Sequence, residues 1–458
     1  MTFFRPLRHH SRLLAFSFGM IAAACAIGGP ASAQGIPLLR DTETEYLLKS
    51  YEDPLAKAAG LDPSAIKIYL VNNMEVNAFV AGGQNLFINS GILLYVHLPN
   101  EITGVMAHET GHIAGGHLSR DTDAVAKASI PVLIAKVIGL GAMIAGAGMA
   151  GMAVMMGGEE IGAQQMLAFS VVQESTADQM GIRFLDATHQ SGLGMLHTFE
   201  RFADEEARAG APKNFASDHP MGRERVAQIE KLVDASAYRD VKDSEEAVHK
   251  FEMVQAKLAG FVLPVKDVFN RYPMTNVSEP ARYARALAYM RQPDLPKAMT
   301  EINGLIKDEP ANPYFYEELG NIFMSAAKPR DGISAYQKAV DILPTAPQLR
   351  VLLASAQLAA EDPKLADAAL GNLKAASLIE DDDSFNWYQQ AQAYAALKNE
   401  PMADLSMGES NYAQGDYPDA VRFATRSQHG LKQGSPDWQR AADIIATSAT
   451  QIKQMQSR

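Results

Sequence analysis

The sequence predicts an α+β protein that is predominantly helical, in which a domain with a small β-sheet is followed by an α-solenoid of short repeats. Three observations carry that expectation. Short apolar runs separated by a glycine pair lie between residues 66 and 88, the pattern of strands and tight turns. Two helical stretches, near residues 100–112 and 170–185, place chemically active side chains four apart. From about residue 258, apolar and proline positions recur every 34 residues. With 458 residues, 47% of them hydrophobic, the chain can bury more than one core and should divide into two or three domains.

At the start of the chain, Arg5, Arg8 and Arg12 precede an apolar run from Leu13 to Ile27, and Ala31-Ser32-Ala33 has the small residues of a cleavage site. Residues 1–33 therefore read as a secretory signal peptide, with Gln34 first in the mature chain. Cys25, the only cysteine, lies within it, and Ile21-Ala22-Ala23-Ala24 is a poor approach to a lipid-attached cysteine. Loss of the three arginines takes the formal charge from −12 to −15 and leaves no thiol to pair. So acidic a chain argues against nucleic acid as a partner, because phosphate binding needs clustered Lys and Arg. The expected location is a bacterial periplasm.

Ile66 to Val71 alternates apolar and polar residues, and Asn77–Val80 and Asn85–Ile88 form short runs around Gly82-Gly83, which together predict a small sheet. VMAHETGHIAGGHLSR, residues 105–120, comes next. His108 and His112 are four apart, so one helical turn sets both imidazoles on the same face, where two nitrogens can meet one metal ion. Glu109 completes an H-E-x-x-H pattern, and its carboxylate can take the proton of an attacking water. Gly115 also fits the longer pattern with a third histidine, but Leu118 stands where that histidine would be. His117 falls one residue short and is expected to play a supporting part at the helix end.

A catalytic site of this kind needs a third protein ligand. In SVVQESTADQMGIRFL, residues 170–185, Glu174 and Asp178 are four apart on a second helix. Glu174 is the expected ligand, and Asp178 is expected to hold the far nitrogen of a ligand imidazole. Two imidazoles and a carboxylate favour one zinc ion per chain. Between the two motifs, residues 137–158 carry no charge and include seven glycines. One complete membrane crossing there would separate the histidines from Glu174. An apolar flap or hairpin over about 129–165 is expected instead, with its methionines touching lipid or unfolded chains.

Tyr289 and Phe323, Ala298 and Gly332, Ile302 and Tyr336, and Pro310 and Pro344 are each 34 apart, the tetratricopeptide repeat length. A degenerate copy follows around Leu353 to Leu373. Trp387, Ala391, Tyr394 and Ala403 mark another after the acidic insertion Glu380 to Asp383, and Gly415 to Ala420 marks a last one. Such helix pairs stack because none can hide its apolar face alone, and the concave side of the stack binds protein. The expected division is 1–33 signal peptide, 34–258 catalytic domain and 259–458 repeat solenoid.

His108-Glu109-Thr110-Gly111-His112 followed by Glu174-Ser175-Thr176-Ala177-Asp178 resembles the peptidase family of the CAAX prenyl protease and HtpX, whose signature is HExxH followed by ExxAD. NAFVAGGQNLFINSGIL, residues 77–93, looks like that family's strand and turn ahead of the zinc helix, and SDHPMGRERV, residues 217–226, looks like its later His-Pro…Arg segment. With a signal peptide and a repeat tail, the chain is most similar to the family's periplasmic members that serve outer-membrane assembly. The resemblance implies a gluzincin-type zinc metalloprotease domain. It implies an endopeptidase with chaperone-like activity toward unfolded or misassembled outer-membrane proteins, engaging the assembly machinery through its repeats. Association with the outer membrane and peripheral contact with lipid belong to the same expectation. The alternative is a chaperone or assembly scaffold whose proteolysis is latent or minor. His219 takes its role from the resemblance alone, as a fourth zinc ligand that latches the site shut. Arg225 matches the family's arginine, which would steady either the loop or the oxyanion. The family's strand nearest the metal is an edge to which an extended substrate can add by main-chain hydrogen bonds.

Overall fold

The structure is a computed structural model that describes residues 38–117, 160–209, 215, 219 and 221–456. The expected signal peptide lies outside the described residues, as does the expected flap up to residue 159. The fold is α+β and predominantly helical.

Strand β1 (Leu38–Leu39) leads into helix α1 (Thr42–Ala58). Asp41 caps the helix, its carboxylate accepting from the Thr44 amide at 2.8 Å, and Glu43 and Glu45 put negative charge on the positive end of the dipole. Strands β2 (Lys67–Val71), β3 (Ala78–Ala81) and β4 (Asn85–Asn89) complete a sheet in the order β1-β2-β4-β3. β2 and β4 are parallel, while β3 and β4 form an antiparallel hairpin. Its turn uses Gly82 and Gly83 at φ 62° and 97°, a region that glycine enters without steric penalty. β4 is buried along its whole length, and β3 is left as an edge.

Helices α2 (Ser90–Tyr95), α3 (Pro99–Ala114), α4 (Glu160–Ala187), α5 (Leu193–Ala209) and α6 (Arg223–Ala235) follow. α3 starts on Pro99, whose missing N–H costs nothing in a first turn, and it is buried from Glu101 to His112. Its neighbours come close because glycines stand at the crossings. A Cβ on Gly111 would lie 2.7 Å from the Ala177 carbonyl oxygen of α4, and one on Gly104 would lie 2.6 Å from the Met195 Cβ of α5.

Helix α7 (Glu245–Val262) passes without a break through residue 258. Its Phe251, Val254 and Leu258 belong to the first core, while Met253 packs into the next one. Gln255 fixes it further, donating to the carbonyls of Leu93 and Val96 at 2.7 Å each. After α8 (Val265–Arg271) come α9 (Glu279–Arg291), α10 (Leu295–Asp308), α11 (Pro313–Ser325), α12 (Pro329–Ile342), α13 (Pro347–Ala359), α14 (Ala366–Ser377), α15 (Ser384–Ala396), α16 (Glu400–Ala413), α17 (Tyr417–Gly430) and α18 (Pro436–Gln456). The starts of α9, α11 and α13 are 34 residues apart. In the turns after α11 and α13, Ala327 and Glu361 sit at φ 55° and 52°, again 34 apart. A chain of small cores runs along the stack.

The repeat helices are in contact with the part that holds the sheet. Gln348 of α13 donates to Glu45 of α1 at 2.5 Å, and the Tyr46 hydroxyl donates to the Thr345 carbonyl at 3.2 Å. Arg40 pairs with Glu380 at 2.8 Å, and Lys67 pairs with Asp382. The acidic insertion thus docks on β2 and on the segment between β1 and α1. Among the described residues, no helix is long and apolar enough to cross a membrane.

Candidate metal centre

α3 carries His108, Glu109 and His112 on its buried length, and α4 runs beside it carrying Glu174 and Asp178. One donor atom from each of His108, His112, Glu174 and His219 falls within 4.8 Å of the others, and all four residues are buried. Nε2 of His108 lies 3.1 Å from Nε2 of His112, 3.3 Å from Nδ1 of His219 and 3.4 Å from the Glu174 carboxylate. Glu174 is 3.4 Å from Nε2 of His112 and 3.1 Å from Nδ1 of His219. A tetrahedral ion with bonds of about 2.0–2.1 Å would hold its donors about 3.3–3.4 Å apart, so this set fits a small divalent cation.

Charge favours the same occupant. Burial opposes protonation of His108, yet Asp178 and Glu174 outweigh it and raise its pKa to about 9. Burial pushes His112 down to about 3, with the neighbouring imidazoles adding to the effect. Burial would raise Glu174, but His219, His108 and His112 hold it far below the usual carboxylate range. The pocket attracts positive charge, and a metal cation supplies it while leaving the imidazole lone pairs free to bind.

The remaining expected residues surround this set. Asp178 Oδ1 lies 2.9 Å from Nδ1 of His108, the nitrogen that faces away from the other donors. Arg225, at the start of α6, donates to Asp178 from Nε and Nη2 at 2.9 and 2.8 Å, and its Nη1 lies 3.0 Å from Glu174. Its guanidinium is committed to the two carboxylates. Nδ1 of His117 is 3.1 Å from Nδ1 of His112, so it touches the back of one donor and is not a member of the cluster. Glu109 Oε1 is 3.4 Å from Nε2 of His219.

Two neighbours were not anticipated from the sequence. Thr110 hydrogen-bonds Glu52 of α1 at 2.8 Å, within the buried base of α3. A signal for this existed, since Leu48, Glu52 and Leu55 share one helix face and put a carboxylate among core positions. Phe215 is fully buried and stacks on His219, with centroids 4.3 Å apart and planes at 20°. No periodicity marks that contact.

Residues 43–233 match the family model for Peptidase family M48, a span that contains every donor described above. The chain carries a peptidase family M48 domain. It is a metalloendopeptidase, and its chemistry depends on a metal. Over 429 residues it is 26% identical to the Beta-barrel assembly-enhancing protease of Escherichia coli (strain K12), an alignment covering 92% of this chain and 85% of that protein. It is 27% identical over 178 residues to the Metalloprotease LoiP of the same organism, covering 39% of this chain and 66% of that one. To the Mitochondrial metalloendopeptidase OMA1 of Schizosaccharomyces pombe it is 25% identical over 186 residues, covering 40% and 52%. The last two alignments are about as long as the M48 domain, whereas the first extends through the repeats.

Proposed function

We propose that this M48 metalloendopeptidase uses zinc, one ion per chain, works in the periplasm after loss of a signal peptide at residues 1–33, and cleaves or assists misassembled outer-membrane proteins. The observation that carries the catalytic reading is the convergence of His108, His112 and Glu174 from two helices separated by 45 residues of sequence. The outer-membrane role is supported by similarity to an assembly-enhancing protease over nearly the whole chain. Unfolded or misassembled outer-membrane proteins and the assembly machinery are the proposed partners of residues 259–458. Residues 34–258 form the proposed catalytic part.

Zinc in such a site polarises the scissile carbonyl and acidifies the attacking water. His108, His112 and Glu174 are the proposed ligands. Glu109, next to His108 on α3, is the proposed base that accepts the water's proton and returns it to the leaving amine. Asp178 orients His108 through Nδ1, and Arg225 balances the charge of Asp178 and Glu174. β3, an edge among the described strands, offers main-chain groups to an extended peptide, which reads backbone and leaves the side-chain demand loose.

His219 supports a second, compatible reading in which proteolysis is latent and the repeats act as a chaperone or scaffold. Its ring stands among the proposed ligands and also touches Glu109, so in this position it takes the water's place and occupies the base. Casein cleavage by zinc-loaded protein tests both readings. Glu109→Gln should bind metal and lose cleavage by about 10²-fold or more, and His219→Ala should cleave faster than wild type. Undiminished cleavage by Glu109→Gln removes the base, and an unchanged or lower rate in His219→Ala removes the latch. Restoration of outer-membrane assembly in a deletion strain by Glu109→Gln would assign that task to binding.

A further inference from the structure

We infer that His117 is the positioning residue for His112. It accepts the proton on Nδ1 of that imidazole and so leaves Nε2, on the side of His108 and Glu174, as the nitrogen open to a metal ion. This deepens the metal-centre reading above and rests on it.

The course of the chain is the first support. Five residues along an unbroken helix end about 140° past a full turn, so a continued α3 would point residue 117 away from His112. The helix stops instead. The Gly115 amide donates to the Gly111 carbonyl at 2.9 Å and the Gly116 amide to the Ile113 carbonyl at 3.1 Å. Gly116 then takes φ 61°, in the left-handed region that glycine enters freely. That reversal folds His117 back over the last turn. A Cβ on Gly115 would lie 2.5 Å from Nε2 of His117, so the first glycine leaves the space in which the ring sits. Each glycine of the pair has its own steric use, and both uses serve one imidazole.

Hydrogen-bond chemistry is the second. The two buried rings meet Nδ1 to Nδ1 at 3.1 Å, with their planes at 82°. Rotation about the line between the nitrogens leaves an N–H···N bond straight, so the crossed rings do not weaken it. One proton has to lie between two nitrogens this close. A neutral His112 that gives its Nε2 lone pair to a metal carries its proton on Nδ1. His117 then accepts at Nδ1 and keeps its own proton on Nε2. The nitrogen freed in this way belongs to the donor set, since Nε2 of His112 lies 3.1 Å from Nε2 of His108 and 3.4 Å from Glu174.

Charge is the third. Asp178 does for His108 what His117 does for His112, with Oδ1 2.9 Å from Nδ1. Each imidazole ligand therefore has a partner behind it, one anionic and one neutral. A carboxylate in place of His117 would add a negative charge to a site that already holds Glu109, Glu174 and Asp178. A neutral imidazole fixes the ring without that charge.

The test compares wild type, His117→Phe and His117→Gln at full length. Zinc affinity is read by competition with a chromophoric chelator, and the donor set by the visible absorption of the cobalt-loaded protein. His117→Phe keeps a ring and removes the acceptor, so it should bind zinc about tenfold more weakly and shift the cobalt bands. His117→Gln carries an acceptor oxygen on a side chain of similar reach and should regain most of the affinity. A residue that only packs would give the opposite order, with Phe above Gln. That order, or wild-type affinity in His117→Phe, would overturn the inference and leave the metal centre standing. Failure of wild type to bind zinc would sink the centre and the inference together. If His117→Phe fails to fold, nitrogen NMR of histidine-labelled, zinc-loaded wild type decides the matter. The ring whose signals vanish in His117→Gln should carry its proton on Nε2, and a proton on Nδ1 would overturn the inference.

Discussion

The Thr110 hydroxyl lies 2.8 Å from both the Met106 carbonyl and Glu52, yet it has one proton to give. Both partners accept, so the hydroxyl's proton is shared between the Glu52 carboxyl and the Met106 carbonyl. Burial pushes the Glu52 carboxyl up to about 8, against the opposing hydrogen bond from Thr110. A neutral Glu52 also spares Glu109 a nearby negative charge. In the unfolded chain Glu52 would titrate near its ordinary 4.5, so the folded state holds a proton that the unfolded state releases. This contribution is fully present below about 4.5 and is lost as pH rises through about 8. Glu52→Gln keeps an acceptor for Thr110 and cannot ionise. Its denaturation midpoint should exceed that of wild type at pH 9 and converge with it near pH 5, and parallel pH profiles would show that Glu52 is ionised in the fold. The spacing of His108, Glu109 and His112 was legible in the sequence because one helical turn fixes it. The partner of Thr110 was not, because α1 meets α3 only in the folded chain.

At the scale of elements, the site depends on how closely α3 and α4 approach. Gly111 lies between His108 and His112 on the helix that carries them, and Gly181 lies one turn beyond Asp178. A Cβ on Gly181 would come within 3.1 Å of the α3 backbone at Ala107 and His108, a tighter fit than most side chains tolerate. At Gly111 the clash is closer, 2.7 Å from a backbone oxygen that cannot swing away. Gly111→Ala should push the helices apart and withdraw Glu174 from the histidines. We expect a loss of stability of about 1–3 kcal/mol and a fall in zinc affinity, read by competition with a chromophoric chelator. Unaltered affinity would mean that the ligands do not rely on this spacing. Strands β2 to β4 and the 34-residue recurrence were readable because period and turn residues are local signals. The glycine crossings were not, since a glycine's neighbour across a helix pair leaves no mark in its own segment.

At the scale of the whole molecule, a buried lysine joins the two parts. Lys257 of α7 is 2.5 Å from Asp41, 3.0 Å from Glu317, 3.2 Å from Glu318 and 3.5 Å from Glu43, which also accepts from the Tyr283 hydroxyl at 3.0 Å. One ammonium group thus serves four carboxylates from the α1 start and α11. Burial raises Glu43 to about 7, Glu317 to about 8 and Glu318 to about 7, even with Lys257 pulling them down. Their stabilising effect is complete below about 4.5 and disappears as pH climbs through 7 to 8. Lys257→Met removes the only cation of this group and should cost about 3–5 kcal/mol near neutral pH, with partial recovery on acidification. A melting temperature equal to wild type at pH 7.5 would deny the group any role in holding the parts together. The sequence suggested a boundary at 258 because composition changes there. The helical period runs straight through it, however, and contacts such as Arg40 with Glu380 span 340 residues that no local pattern connects.

The most direct test of the metal centre is zinc stoichiometry after exhaustive dialysis, measured on wild type and on Glu174→Ala with X-ray absorption of the bound ion. Joint ligation from α3 and α4 predicts one zinc per wild-type chain, with nitrogen and oxygen donors at about 2.0–2.1 Å, and little zinc retained by Glu174→Ala. A full equivalent of zinc in Glu174→Ala, in an unchanged donor shell, would contradict it.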